Sequence, residues 1–428
     1  MAGIANVPLE LRLILLFVVG LLVGRQVNRG IYSLAWFPRV LGPWSPPPPG
    51  APPRRTLDRL PVVGWWGLRR ESAWHGAGYW IRPLLIELAT GAGFAGLYWW
   101  EVGQRSLWPA GGAPGMAALH LQYLSHLVLV SLMLVATFID FDEQTIPDEI
   151  TLTGTAVGVI LAALFPAVAL PTIYEPFDGA TSVHQIVLTS STTSPLMWRD
   201  GLGGPDSWPP VLDGGAGLGC GLLVVWTWCF AILHKTWTLR RGVWKAVQYA
   251  VASVVRGRTW RVPAALGACL SAVVVLTWLR GAVWWESLLS SLVGMCFGGG
   301  LIWSVRIVGG HALRVEAMGF GDVTLMAMIG AFLGWQSAFL IFFLAPFTAL
   351  LIAAAQRLLT GQRHIAFGPY LCLATLIILL YWHAVWIEWA RLMFSLGWFI
   401  PVLLICCLVL MGGMLHLWRL IRDAFTYD

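Results

Sequence analysis

An all-α, polytopic membrane helix bundle is the fold class the sequence predicts, and three observations carry it. Of 428 residues, 58% are hydrophobic and only 11% charged, against about 25% charged in an ordinary soluble domain. The 26 Trp and 47 Gly suit a bilayer, whose interfaces favour Trp and whose helices tolerate Gly. Runs nearly free of Asp, Glu, Lys and Arg recur along the chain, at or near the roughly 20 residues that a spanning helix needs. The net charge of +6 does not indicate a nucleic-acid binder, because the bases are gathered into a few loops between apolar runs.

The spans follow in order. Leu13 to Gly24 is short and needs residues on either side. Glu10 and Arg12 precede it and no small-residue cleavage site follows, so it is expected as a retained span rather than a signal peptide. Next come Pro83 to Trp100, interrupted by Glu87, then Ala117 to Ile139, Thr151 to Thr172, Gly214 to Leu233, Val262 to Leu279 and Ser287 to Val305. The run from Val323 to Gln356 is too long for one helix, and Gly334, Trp335 and Gln336 offer a tight turn that divides it. Ile365 to Ile387 and Leu392 to Trp418 bring the total to about eleven transmembrane helices.

Positive charge orients them. Arg25 to Arg82 carries nine Arg and Lys235 to Arg261 seven Lys and Arg, whereas Ile173 to Asp213 carries one Arg against five acids. The two basic segments are therefore expected in the cytoplasm and the acidic loop outside, with the N-terminus outside and the C-terminus inside. Such basic loops need no anionic partner beyond the lipid bilayer. Pro46 to Pro49, Pro52 and Pro53 form a polyproline-like spacer. The seven cysteines lie in apolar stretches without CxxC spacing, so neither a disulfide framework nor a zinc site is expected. His120 and His126, six residues apart, lack a same-face ligand spacing.

Four segments result. Residues 1–116 hold the first two spans and a cytoplasmic Pro/Arg/Trp-rich segment, and residues 117–172 a helical hairpin. Residues 173–285 resemble an insertion of an acidic outer loop, two spans and a basic inner loop, and residues 286–428 hold the remaining spans.

Chemistry is concentrated in two acidic motifs. Phe138 to Leu152 joins the third and fourth spans and contains Asp140, Asp142, Glu143, Pro147, Asp148 and Glu149. Glu316 to Leu325 contains Gly319, Gly321 and Asp322, the glycines permitting a tight turn just before an apolar run. By the orientation count both motifs face the cytoplasm, so Asp140 and Asp322 are expected to meet. Each acid also has a plain structural role: Asp322 suits the N-cap of a helix starting at Val323, Asp148 after Pro147 suits the cap of the fourth span, and Asp142 and Glu143 read as solvated charges. An acid at the end of a membrane helix is nonetheless costly unless used. Two carboxyls held together share one proton, so one serves as general base on water while the other polarises a scissile carbonyl. The residues alone predict an aspartyl hydrolase near the bilayer surface.

At these residues the chain resembles the prepilin peptidases, or type IV leader peptidases. The matching stretches are Ile139-Asp140 through Ile146-Pro147-Asp148 and Thr151; the GxGD at Gly319 to Asp322, continued by Ile329 to Trp335; Phe367-Gly368-Pro369-Tyr370-Leu371; and Leu60-Pro61 through Gly67-Leu68-Arg69 with Leu85 to Leu88. The resemblance implies an intramembrane aspartic endopeptidase of the inner (cytoplasmic) membrane. It clips the leader from type IV prepilins or type II secretion pseudopilins at the cytoplasmic face, with Asp140 and Asp322 catalytic and Gly319, Gly321, Pro147 and Asp148 shaping the site. No metal is implied at the pair.

The chain departs from the family's pattern in three places. No cysteine precedes Cys220, so the family's two CxxC pairs, which would bind zinc, are absent. The accompanying N-methylation with S-adenosylmethionine is not expected. Thr324 stands where the family usually has Lys, and the insertion adds two spans, an even number that leaves both acids on one face. Competing readings are an inactive relative and a transporter using its intramembrane acids for ions or protons.

Overall fold

A computed structural model of the chain describes residues 7–108, 114–171, 175–177, 180–182, 210–233, 243–315, 318–360, 366–394 and 399–425. Most of the acidic outer loop, residues 234–242 of the basic loop, and Glu316 and Ala317 of the second motif lie outside these residues.

The regular secondary structure of the described chain is helical apart from one short antiparallel pair, Glu175–Phe177 with Ala180–Ser182. The helices used below are α1 (Leu9–Ser33), α2 (Val63–Leu68), α3 (Ile81–Tyr98), α4 (Met116–Glu143), α5 (Asp148–Leu164), α6 (Gly215–Ala231), α7 (Val243–Gly257), α8 (Arg261–Arg280), α9 (Ala282–Leu313), α10 (Phe320–Leu333), α11 (Trp335–Thr360), α12 (Gly368–Leu380) and α13 (Phe399–Phe425). Among the described residues, five stretches are long and apolar enough to cross a membrane: Met116–Glu143, Arg261–Arg280, Val283–Leu313, Trp335–Ala354 and Ile400–Ala424. A sixth is added if α12 and the π-helical turn Ala384–Ala390, bent by 86°, count as one span. Gly215–Ala231 and Phe320–Leu333 are apolar but shorter.

Local chemistry sets the helix ends. The expected break at Gly334 is present: its φ of +86° suits glycine and separates α10 from α11. The fourth span ends at Leu164, before Thr172, where a 3₁₀ turn begins at Pro166. Pro147 at the N-cap starts α5 with an extended backbone.

Close backbone approach holds the bundle together. A Cβ on Gly20 would lie 2.7 Å from the Gly91 Cα, so α1 and α3 pack with almost no side chain between them. Gly294 and Gly330 do the same for α9 and α10, each Cβ falling 2.1 Å from the other's carbonyl oxygen. One core joins α1, α3, α4, α10, α11 and α12. A second joins α6 and α8 to α5, α9 and α10 through Val225, Trp228, Leu270, Val274, Trp285 and Ala327. Helices α6 and α8 are thus packed onto the helix that carries Asp322.

The segment between α1 and α3 is held without cysteines. Asp58 pairs with Arg70, Arg54 with Glu71, and the buried Glu87 accepts from the Val62 amide at 2.5 Å and from Trp65 Nε1 at 2.9 Å. Trp65 is fully buried, while Trp66 and Trp74 are exposed, so the tryptophans divide between packing and surface.

Candidate active site

Asp140 lies in the last turn of α4, which ends at Gln144 with a left-handed φ of +55°. Its carboxylate is 5% exposed and accepts a hydrogen bond from the Gly368 amide at 3.0 Å. Gly368 opens α12, and a Cβ there would meet Asp140 Oδ2 at 2.6 Å and Ile146 Cδ1 at 3.0 Å. Only glycine lets the start of α12 come this close.

The second motif arrives from the other side. Gly319 is the N-cap of α10, which begins at Phe320, so Asp322 sits inside the first turn and does not cap a helix starting at Val323. Its carboxylate, 8% exposed, accepts from the Gly319 backbone and interacts electrostatically with Asp140. A Cβ on Gly321 would fall 2.9 Å from the Ile146 Cβ. Ile146, from the loop between α4 and α5, is therefore packed against both Gly321 and Gly368. Pro147 and Asp148 follow it at the start of α5, Asp148 half-buried in the first turn.

Thr324 is buried, and its hydroxyl accepts from Thr151 at 3.0 Å while donating to the Gly321 carbonyl at 3.0 Å. It pins α10 to α5 where the family's usual lysine would bring a charge.

Asp142 and Glu143, expected as solvated loop charges, are structural. Asp142 binds Arg82 at 2.8 Å and 3.0 Å and Arg39 at 3.7 Å; Glu143 accepts the amides of Trp36 at 2.7 Å and Phe37 at 3.3 Å. Together they clip residues 36–39 to the helix end that carries Asp140. A further buried acid, Glu101, pairs with His126 at 2.8 Å, and His120 bonds the Tyr98 hydroxyl. These histidines are placed by packing, and among the described residues no group of three or more His, Cys, Asp and Glu is arranged for a metal ion. The cysteine-free segment between α1 and α3 does not fit a thiolate zinc site.

Gly368 is the site residue that the motif pattern had not singled out. Its stretch, Phe367-Gly368-Pro369, was visible as a motif, but the amide donated to Asp140 depends on how α12 packs against α4.

The type IV leader peptidase family matches residues 247–354, which include Asp322 but not Asp140. Among curated relatives, the chain is similar to a "Prepilin leader peptidase/N-methyltransferase" of Stutzerimonas stutzeri, 29% identical over 192 residues that cover 41% of this chain and 61% of the relative. Proteins of the same name from Escherichia coli K12 (34% over 101 residues, 23% and 44%) and Aeromonas salmonicida A449 (30% over 99 residues, 22% and 33%) also align. The chain thus spans between a third and two thirds of the length of these relatives. No solved structure matches. The family match and these relatives agree, so over part of its length the chain is similar to the prepilin peptidases, or type IV leader peptidases.

Proposed function

We propose that this protein is an intramembrane aspartic endopeptidase that removes the leader from type IV prepilins or pseudopilin-like precursors, with Asp140 and Asp322 as the catalytic pair. The observation that carries the reading is that two buried carboxyls from separate motifs, each held by a glycine amide, are brought close enough to interact electrostatically. One carboxylate takes a proton from water as the water oxygen attacks the scissile carbonyl carbon. The other, protonated, polarises the carbonyl oxygen, and a proton then passes to the amide nitrogen as the C–N bond breaks.

In this reading the apolar helices form about eleven spans in the inner membrane, the count read from the sequence. The basic segments Arg25 to Arg82 and Lys235 to Arg261 support a cytoplasmic site by the positive-inside rule. Methylation of the new N-terminus is not part of this activity, because the cysteines expected for the family's first segment are missing. No cofactor is required by the hydrolysis.

The test is co-expression with a leader-bearing pilin-like substrate, read by mass, for wild type, Asp140→Asn and Asp322→Asn. Cleavage by wild type alone is the expected result. Cleavage at a near-normal rate by either variant sinks the catalytic pair, and a further gain of one methyl group restores the second activity.

A further inference from the structure

An apolar groove of about 770 Å³ runs between α3, α4 and α12, and Arg82 and Thr90 are the polar residues in its lining. Thr90 is occupied with the Ile86 carbonyl, and Arg82 is drawn to Asp142 at the cytoplasmic mouth, so what remains is a hydrocarbon surface. It extends along α3 from Arg82 to Leu97, about 22 Å at 1.5 Å per residue. Spread over that length, 770 Å³ is a cross-section of about 35 Å², near half that of a helix roughly 10 Å across.

The floor is made of Ala89, Gly93 and Gly96, at positions i, i+4 and i+7 of one helix face. A Cβ on Gly93 or Gly96 would meet nothing within 4 Å. The same helix shows what such a face accepts. On its other side Gly91 is covered by α1 at backbone contact with Gly20, as expected where small residues let membrane helices approach. The α3 helix therefore has one small-residue face filled by a helix and a second one open.

The walls of the open face lead to the candidate site. Leu134 and Phe138 come from α4, the helix that ends in Asp140. Leu376 and Leu380 come from α12, whose first residue, Gly368, holds the Asp140 carboxylate. Phe138, within one helical turn of Asp140 along α4, marks the mouth together with Arg82 of α3, which donates to the Phe138 carbonyl.

We propose that this groove seats the apolar helical segment of the substrate, leaving the chain beyond its cytoplasmic end to cross to the Asp140 and Asp322 pair. This rests on the peptidase reading and adds to it a docking surface remote from the reacting groups. Its occupant is an apolar membrane helix with a smooth contact face, seated over Gly93 and Gly96.

The test uses the full-length protein in membranes with two substrates: a membrane-embedded pilin-like precursor and a short water-soluble peptide spanning the scissile bond. Gly93→Leu and Gly96→Leu fill open space, so both variants are expected to fold. They should slow cleavage of the embedded precursor at least tenfold while leaving peptide cleavage unchanged. A photo-crosslinking residue at position 96 should capture the precursor's apolar segment. Unchanged cleavage of both substrates, equal loss on both, or crosslinks only to lipid or to a second copy of this chain would each overturn the proposal. A wild-type protein that cleaves neither substrate counts instead against the peptidase reading.

Discussion

The Gly368 amide donates to Asp140 Oδ2 across 3.0 Å, and the Gly368 Cα is so close that a Cβ would stand 2.6 Å from the same oxygen. Gly368→Ala must push the carboxylate or α12 aside. Leader cleavage is expected to fall at least tenfold, or ~1.4 kcal/mol of barrier, whereas Pro369→Ala, which keeps the amide, should retain most activity. An alanine variant at the wild-type rate would show that this bond does not position Asp140.

Thr324 carries a different expectation. Losing its hydrogen bond in Thr151→Val should cost about 1 kcal/mol, read as a Tm lower by a few degrees in detergent, with cleavage retained. Thr324→Lys places an ammonium at a site 2% exposed beside an apolar cavity of about 160 Å³. Burying that charge without a partner costs several kcal/mol, so folded yield should drop sharply. A stable, fully active Thr324→Lys protein would mean that the site can accept the family's usual residue unaided.

Glu143 ties the strap at residues 36–39 to α4 through two amides. In Glu143→Ala those amides should exchange with deuterium at least tenfold faster by mass spectrometry, since local opening sets their protection. Global stability should move by less than about 1 kcal/mol, because the pairing is largely exposed. Unaltered exchange would place the hold on the strap elsewhere.

Asp58 predicts an acid response in the segment before α3. The hydrogen bond from Arg70, helped by the Arg55 amide, holds its carboxyl below the ordinary value of 3.8. A group with a depressed folded pKa contributes stability that is fully present above its unfolded value and lost as pH falls through the folded one. Proteolysis between Arg54 and Arg70 should therefore be suppressed at neutral pH and rise below about pH 4, and Asp58→Asn should be susceptible at both. A wild-type segment equally resistant at pH 3 would remove Asp58 from that role.

Much of this protein was legible along the chain. Apolar run lengths predicted helices, since a bilayer leaves no backbone polar group unpaired. Gly334 marked the break between α10 and α11 because few residues besides glycine take its φ easily. Asp140 and Asp322 stood out because carboxylates at membrane-helix ends are costly. What the sequence could not decide was which neighbours each group would have. Asp142 and Glu143 look like solvent charges until residues 36–39 fold against them, and Glu101 looks like the end of an apolar run until His126 faces it. Gly368 becomes a ligand of the Asp140 carboxylate only when α12 meets α4. Charge, length and glycine are properties of a residue and its local conformation, and so are read in order. The bond from Gly368, the clip by Glu143 and the open face over Gly93 and Gly96 belong to pairs of elements far apart in sequence, and only their packing determines them.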